Sequence, residues 1–214
     1  MIMERIICLV LGYCFGLFQT GYLYSKRHHV DIRSEGSGNS GSTNVLRVMG
    51  AKAGAIVFAG DSMKSILACV VVRFLFKNQP DMVNLLVMYT ALGVILGHNY
   101  PFYMQFKGGK GIACTAGLLA AIDWRLTLVC LVVFVVIVAL TRYVSLGSLV
   151  VVSILLIWMI VFGQMGDYGV RKSLLPEFYG VTAIITGMAY LRHRANIVRL
   201  IHGNENKIGS KKSK

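Results

Sequence analysis

The run LTLVCLVVFVVIVALT, Leu126 to Thr141, is followed after Arg142 and Tyr143 by VSLGSLVVVSILLIWMIVFG, Val144 to Gly163. Neither run holds a charged side chain, and each approaches the roughly 20 apolar residues that an α-helix needs to cross a bilayer core. With only Arg142 and Tyr143 between them, the pair reads as two membrane helices joined by a tight turn. Outward from this hairpin, apolar runs near residues 5–24, 53–76, 82–103 and 178–191 supply further spans. Ile112 to Ile122 is too short to span alone and reads as a half-helix, a re-entrant piece or the end of a tilted span. The expected fold is all-α, one integral-membrane domain over residues 1–214 built as a polytopic bundle of about seven spans.

Composition agrees. The chain is 56% hydrophobic and 14% charged, against roughly half and a quarter in soluble domains. Lys and Arg outnumber Asp and Glu by 22 to 9, a balance that suits anionic lipid, positive-inside loops or an anionic substrate. No nucleic acid is expected, because no basic stripe with interleaved aromatics is present. Cys8, Cys14, Cys69, Cys114 and Cys130 lie in apolar stretches without a CxxC pair and read as small buried hydrophobes. Met1 to Leu23 has no small-residue cleavage site before Lys26 and Arg27, so it reads as a retained first helix.

Charge sets the orientation. Residues 26–52 carry Lys26, Arg27, Arg33, Arg47 and Lys52, and the tail carries Arg192, Arg194, Arg199, Lys207, Lys211, Lys212 and Lys214. Both face the cytoplasm under the positive-inside rule. Seven crossings, with Ile112–Ile122 counted, satisfy this with the N-terminus outside and the C-terminus cytoplasmic. The connections then left outside hold Lys77 with Asp81, Asp123 with Arg125, and Asp167 and Glu177 with Arg171 and Lys172. Within the spans, Gly12 and Gly16 form a GxxxG pair that admits a close helix neighbour. Asp61 and Lys64 share one helix face, as a mutual pair or as functional charges.

Three polar segments carry the chemistry: 26–52, 104–111 and 192–208. In the first, Gly36-Ser37-Gly38-Asn39-Ser40-Gly41-Ser42-Thr43-Asn44 precedes Arg47. Glycines allow consecutive N–H groups to converge on an anion, and the hydroxyls and amides add donors. The literal GxGxxG here follows polar residues rather than a buried strand, which excludes a dinucleotide fold. In the second, Phe106-Lys107-Gly108-Gly109-Lys110-Gly111 opens into an apolar run, so a helix N-terminus stands behind two lysines. Gly111 after Lys110 rules out a Walker A loop. In the third, His193 and Asn196 lie three apart, and Ile197, Leu200 and Ile201 suit a helix along the membrane surface. His28, His29, His98 and His202 show no ligand spacing, so no metal and no cofactor is expected.

Together these segments resemble the bacterial membrane glycerol-3-phosphate acyltransferases that use acyl phosphate, the PlsY family. That family's patterns are GSGNxGxTNxxR, GHxxPxFxxFKGGKG and HxxNIxRLxxGxExK, and they fall here on Gly36–Arg47, Gly97–Gly111 and His193–Lys207. Ser40 stands where Pro is usual, Ser42 for Ala, Tyr103 for Phe and Ser65 for Gly.

The resemblance implies transfer of a fatty acyl group from acyl phosphate to the 1-hydroxyl of sn-glycerol 3-phosphate, giving lysophosphatidic acid and phosphate. It implies a multi-pass protein of the bacterial inner membrane, among membrane lipid, with its site facing the cytoplasm and open to transient docking of an acyl-phosphate-producing enzyme. It assigns Ser37, Arg47, Lys107 and His193 to catalysis. Gly38, Asn39, Gly41, Thr43, Asn44, Gly108, Gly109, Lys110 and Asn196 are assigned to substrate binding, with the Gly108 and Gly109 amides as donors. An acyl phosphate is already activated, and neither GxSxG nor HxxxxD is present. Two bases remain open, a substrate phosphate and His193.

Overall fold

The computed structural model describes residues 2–209, and Lys211, Lys212 and Lys214 of the basic tail lie outside them. The described chain is all-helical: α1 (Ile2–Gly16), α2 (Thr20–Arg27), α3 (Ser42–Met49), α4 (Ala51–Leu75), α5 (Val83–Asn99), α6 (Ile112–Ile122), α7 (Trp124–Thr141), α8 (Val144–Gln164), α9 (Leu175–Arg192) and α10 (Arg194–Ile201). Helices are what these runs must form, since lipid offers no partner for an open backbone N–H or C=O.

Among the described residues six segments are long and apolar enough to cross a membrane: Ile2–Arg27, Ala51–Leu75, Val83–Met104, Trp124–Thr141, Val144–Gln164 and Lys172–Arg192. The eleven residues of α6 reach about 16 Å at 1.5 Å per residue, half a bilayer core. It is a half-helix beside the six longer segments. Ser62, near the middle of α4, donates its hydroxyl to the Ala113 carbonyl at 2.9 Å, and Arg73 donates to the Ala121 carbonyl at 3.2 Å. So α6 runs beside the second half of α4, and the loop before it descends into the bundle.

The most buried helix is α5, whose residues from Leu85 to Ile95 are almost all within the core. It is crossed at short range by α1. The Gly12/Gly16 pair meets a second pair, Gly93 and Gly97: a Cβ on Gly12 would come 2.1 Å from the Thr90 carbonyl oxygen, and one on Gly97 2.3 Å from that of Tyr13. Only hydrogen fits there. By contrast α7 buries little beyond Leu126 and Cys130 and presents Leu128, Leu131, Val132 and Val135 outward.

The two ends of the bundle differ in charge. At one end acids and bases pair across the connections: Arg171 with Asp81, Arg125 with Asp123 and Asp167, and Arg5 with Glu177. The other end gathers the three polar segments. There Arg142, in the α7–α8 turn, donates twice to the Ile208 carbonyl at 3.0 and 2.8 Å and so ties down the tail.

Because the α1–α5 contact is backbone against backbone, Gly12→Val should destabilise the detergent-solubilised protein by at least the ~1–3 kcal/mol typical of overpacking. The measurement is the shift of its thermal unfolding midpoint against the parent.

Candidate active site

Asn44, buried at the start of α3, shapes the first loop. Its Oδ1 accepts the Ser37 N–H at 2.9 Å, while its Nδ2 donates to the carbonyls of Ile32 at 3.3 Å and Glu35 at 3.0 Å. Asn39 closes the turn, with Oδ1 accepting the Gly41 N–H at 2.9 Å and Nδ2 donating to the Gly108 carbonyl at 3.3 Å. That last bond joins the first segment to the second.

The second loop folds back on the end of α5. The Gly108 N–H donates to the Asn99 carbonyl and the Gly109 N–H to the His98 carbonyl, both at 3.1 Å. A Cβ on Gly109 would lie 2.0 Å from His98 Nε2, so this close approach demands glycine. Arg192, at the end of α9, grips the loop from outside, donating to the Gly108 carbonyl at 3.0 Å and the Gly109 carbonyl at 2.9 Å, with its guanidinium 5.2 Å from the Tyr100 ring centre. Lys110 and Gly111 then lead into α6, whose first N–H groups have no intrahelical acceptor.

The third segment meets both. Lys110 Nζ donates to Asn196 Oδ1 at 2.5 Å, Asn196 Nδ2 donates to Glu205 Oε1 at 2.8 Å, and Arg199 Nε donates to Glu205 Oε2 at 2.8 Å. Burial, with help from the positive charges of Arg199, Arg192 and Arg47 and against the attraction of Glu205, brings the Lys110 ammonium down to about 8. Burial first, and then the Lys110 charge, hold His193 down at about 4. The His193 imidazole is therefore neutral near pH 7. Its Nδ1 lies 2.8 Å from the Ala189 carbonyl, which only accepts, so Nδ1 carries the proton and Nε2 keeps a free lone pair.

These groups line a cleft of about 460 Å³. Ser37, Asn39, Gly41, Thr43, Asn44, Arg47, Lys110, His193 and Asn196 are brought together on its polar side, and Phe58 of α4 with Leu131, Phe134, Val135 and Val138 of α7 form an apolar arm. Phe58, Leu131 and Val135 are also exposed on the outside of the bundle, so the arm reaches its surface. Arg47, Lys110 and Arg199 line the polar side with Glu205 and, deeper in, Asp61, and the charges of Arg47, Arg199 and Arg192, which grips the loop from behind, all bear on Lys110 with Glu205 opposing. Such a surplus, faced by the starts of α3 and α6, suits an anion. Among the described residues no three His, Cys, Asp or Glu side chains gather as a metal site would require.

Five expected residues are placed or engaged differently. Lys107 is exposed and Lys110 takes its place in the cleft lining, because the chain turns inward only after the two glycines. The Gly108 and Gly109 amides, expected as phosphate donors, are spent on α5 carbonyls. Gly38 lies off the lining, its N–H bonded to the Glu35 carbonyl. Asn44 reaches the cleft, but both ends of its amide are engaged by the loop it shapes. Arg199, Glu205, Asp61 and His98 also line the cleft without having been assigned to the site. Each had left a signal in the sequence: Asp61 as a charge within a span, His98 and Arg199 inside the family patterns, and Glu205 as an acid among cations in the tail.

Known proteins bear on these observations. The family model described as glycerol-3-phosphate acyltransferase matches residues 6–203. A relative from Clostridioides difficile (strain 630), named glycerol-3-phosphate acyltransferase, is 41% identical over 213 residues, covering 99% of this chain and 98% of its own. One of the same name from Thermoanaerobacter sp. (strain X514) is 35% identical over 210 residues, with 98% of both chains covered. Crystal structures of PlsY, an integral membrane glycerol 3-phosphate acyltransferase, are similar over 96% of this chain at 31% identity. The glycerol 3-phosphate form gives a TM-score of 0.82 over 96% of that chain, and the lysophosphatidic acid form 0.79 over 95%.

The lowered Lys110 fixes a pH dependence. Lys110 is a cation below about 8 and neutral above it, so affinity for inorganic phosphate should hold up to that pH and then fall, by up to about tenfold per unit for one required proton. Calorimetric titration across pH 7–10 reads it. In Lys110→Arg, whose guanidinium does not titrate in this range, the limb should flatten. A limb of unchanged steepness would assign it to another group.

Proposed function

This chain belongs to the glycerol-3-phosphate acyltransferase family, and from that premise we propose that it acylates the 1-hydroxyl of sn-glycerol 3-phosphate with acyl phosphate as donor. One observation carries the pairing of a phosphate-bearing acceptor with a fatty acyl donor. A single cleft combines a cation-rich polar side with an apolar arm that reaches the bundle surface between α4 and α7. Both substrates bear a phosphate and one bears a long chain, so the phosphates suit the polar side and the acyl chain suits the arm.

In the proposed reaction the glycerol hydroxyl oxygen attacks the acyl carbonyl carbon. The bond from that carbon to the phosphate oxygen breaks, and inorganic phosphate leaves with its electron pair. Arg47, Lys110 and the Ser37 hydroxyl neutralise the phosphates as negative charge shifts onto them. Asn196 is held with its carbonyl toward Lys110 by Glu205, and with His193 it orients the glycerol. The lone pair of His193 Nε2 accepts a hydrogen bond from a substrate hydroxyl. A side chain that resists protonation down to about 4 is a weak base, whereas a phosphate with second pKa near 6 is a better one. The hydroxyl proton therefore passes to a substrate phosphate.

The positive-inside rule supports an orientation with the three segments in the cytoplasm of a bacterium, because that end of the bundle carries the excess of cations over acids. The same basic face, with Arg27, Arg33 and Arg194 exposed, suits brief docking of the enzyme that makes acyl phosphate.

The deciding assay is phosphate release by the purified protein from palmitoyl phosphate, with and without glycerol 3-phosphate, beside palmitoyl-CoA as a control. Release that needs glycerol 3-phosphate and yields lysophosphatidic acid from the acyl phosphate alone is expected. No turnover by a folded sample would refute the reaction. Arg47→Ala should lose about a hundredfold or more in kcat, the scale of a removed oxyanion donor. His193→Ala should keep measurable turnover and its alkaline limb, and loss of all turnover there would restore His193 as the base.

A further inference from the structure

Asp61 and Lys64 lie on one face of α4 deep in the bundle, with side chains 1% and 5% exposed. Lys64 Nζ donates to Asp61 Oδ1 at 2.8 Å and to the Phe18 carbonyl at 2.6 Å, its third N–H faces His98 Nδ1 at 3.0 Å, and the Gly16 carbonyl at 3.4 Å shares one of these protons. An ammonium only donates, so Nδ1 accepts and a neutral His98 carries its proton on Nε2. The Thr20 hydroxyl adds a bond to Asp61 Oδ1 at 3.0 Å. One cation thus joins the break between α1 and α2, the middle of α4 and the end of α5.

Charges inside a span are expensive, and an apolar pair of similar volume holds helices together at least as well. What an apolar pair does not do is fix the orientation of an imidazole. That ring matters because of what lies behind it. The His98 carbonyl accepts the Gly109 N–H at 3.1 Å and the Gln19 amide at 3.0 Å, and Nε2 sits so close to Gly109 that a Cβ would lie 2.0 Å away. Gly109 is followed directly by Lys110.

We infer that Lys64 and His98 are positioning residues for the phosphate-binding loop. Lys64 fixes the ring and tautomer of His98, and His98 seats Gly108 and Gly109 so that Lys110 and the first turn of α6 face the cleft. This rests on the cleft's reading as the glycerol 3-phosphate site. Neither side chain is assigned a part in moving a proton or the acyl group.

His98→Asn tests it without leaving a charge unpaired, since the Asn oxygen still offers Lys64 an acceptor while the ring against Gly109 is gone. The purified variant should remain monodisperse in detergent, with KM for glycerol 3-phosphate raised about tenfold and kcat lowered less, a coupling of ordinary size for neighbours in one network. Combined with Lys110→Gln, the rise in KM should fall well short of the product of the two single effects. Asp61→Leu with Lys64→Met removes both charges together and should raise KM in the same way. A purely structural role would reduce the folded fraction at unchanged KM, or give multiplicative effects in the combined variant, and either result overturns the inference. Parent enzyme that does not turn over glycerol 3-phosphate would instead overturn the cleft's assignment, and this inference with it.

Discussion

The hydrogen bond from Lys110 Nζ to Asn196 Oδ1 draws side chains from separate elements to one point. Lys110 belongs to the loop between α5 and α6, Asn196 to α10, and Glu205, which fixes the other end of the Asn196 amide, to the tail. Through Asn39 and the Gly108 carbonyl the first loop joins the same cluster. An amide can serve both neighbours only one way round, oxygen to the ammonium and NH₂ to the carboxylate. The polarity of the site is therefore fixed by connectivity rather than by any single strong contact. The energetic cost falls on Lys110, a half-buried cation among other cations with one carboxylate nearby. Such a cluster is poised to be neutralised by an anion, and it is weakest when empty.

That demand explains a departure from regular membrane architecture. Every long helix of the bundle obeys the rule that lipid permits no open backbone groups. The half-helix α6 breaks it in a controlled way. Its N-terminus begins beside Ser62, near the middle of α4, so the loop before it must run below the bundle's end. The backbone groups of that loop are satisfied by protein: Gly108 and Gly109 bond the α5 carbonyls, and Arg192 bonds the carbonyls of the two glycines. Irregular backbone at depth is tolerated because it lines a cleft and is closed in by protein.

The spans were legible in the sequence because apolar length is a crude and robust signal: Leu126–Thr141 and Val144–Gly163 both lie within helices, and Ile112–Ile122 was already recognisable as too short. The three polar segments were legible for the complementary reason, that lipid selects against glycine-rich basic loops unless something needs them. Their internal wiring was not. Lys107 and Lys110 are the same residue type three positions apart, and only the turn of the chain at Gly108 and Gly109 decides which enters the cleft. Likewise GlyGly suggests free amides, yet closeness to α5 is what consumes them. Asn44 looked like a donor to substrate because its partners, Ile32 and Glu35, are backbone carbonyls that leave no trace in residue identity. Arg192, read from sequence only as one of the basic residues of the tail, was missed as a support of the loop for the same reason: its hydrogen bonds go to backbone carbonyls.

In the proposed reaction, polar and apolar demands meet at one bond. The scissile carbon links a chain that seeks hydrocarbon to a phosphate that seeks cations, so the cleft must set an apolar wall against a charged one. Here α7 supplies the first and the loop before α6 the second, in a partly buried cleft where each cation counts for more than it would in open water. A substrate activated in advance needs no nucleophile from the protein, only a fixed arrangement of charge around the leaving phosphate. That makes rigidity the protein's main contribution. Buried hydrogen bonds throughout the site, from Asn44 to Glu205, supply it.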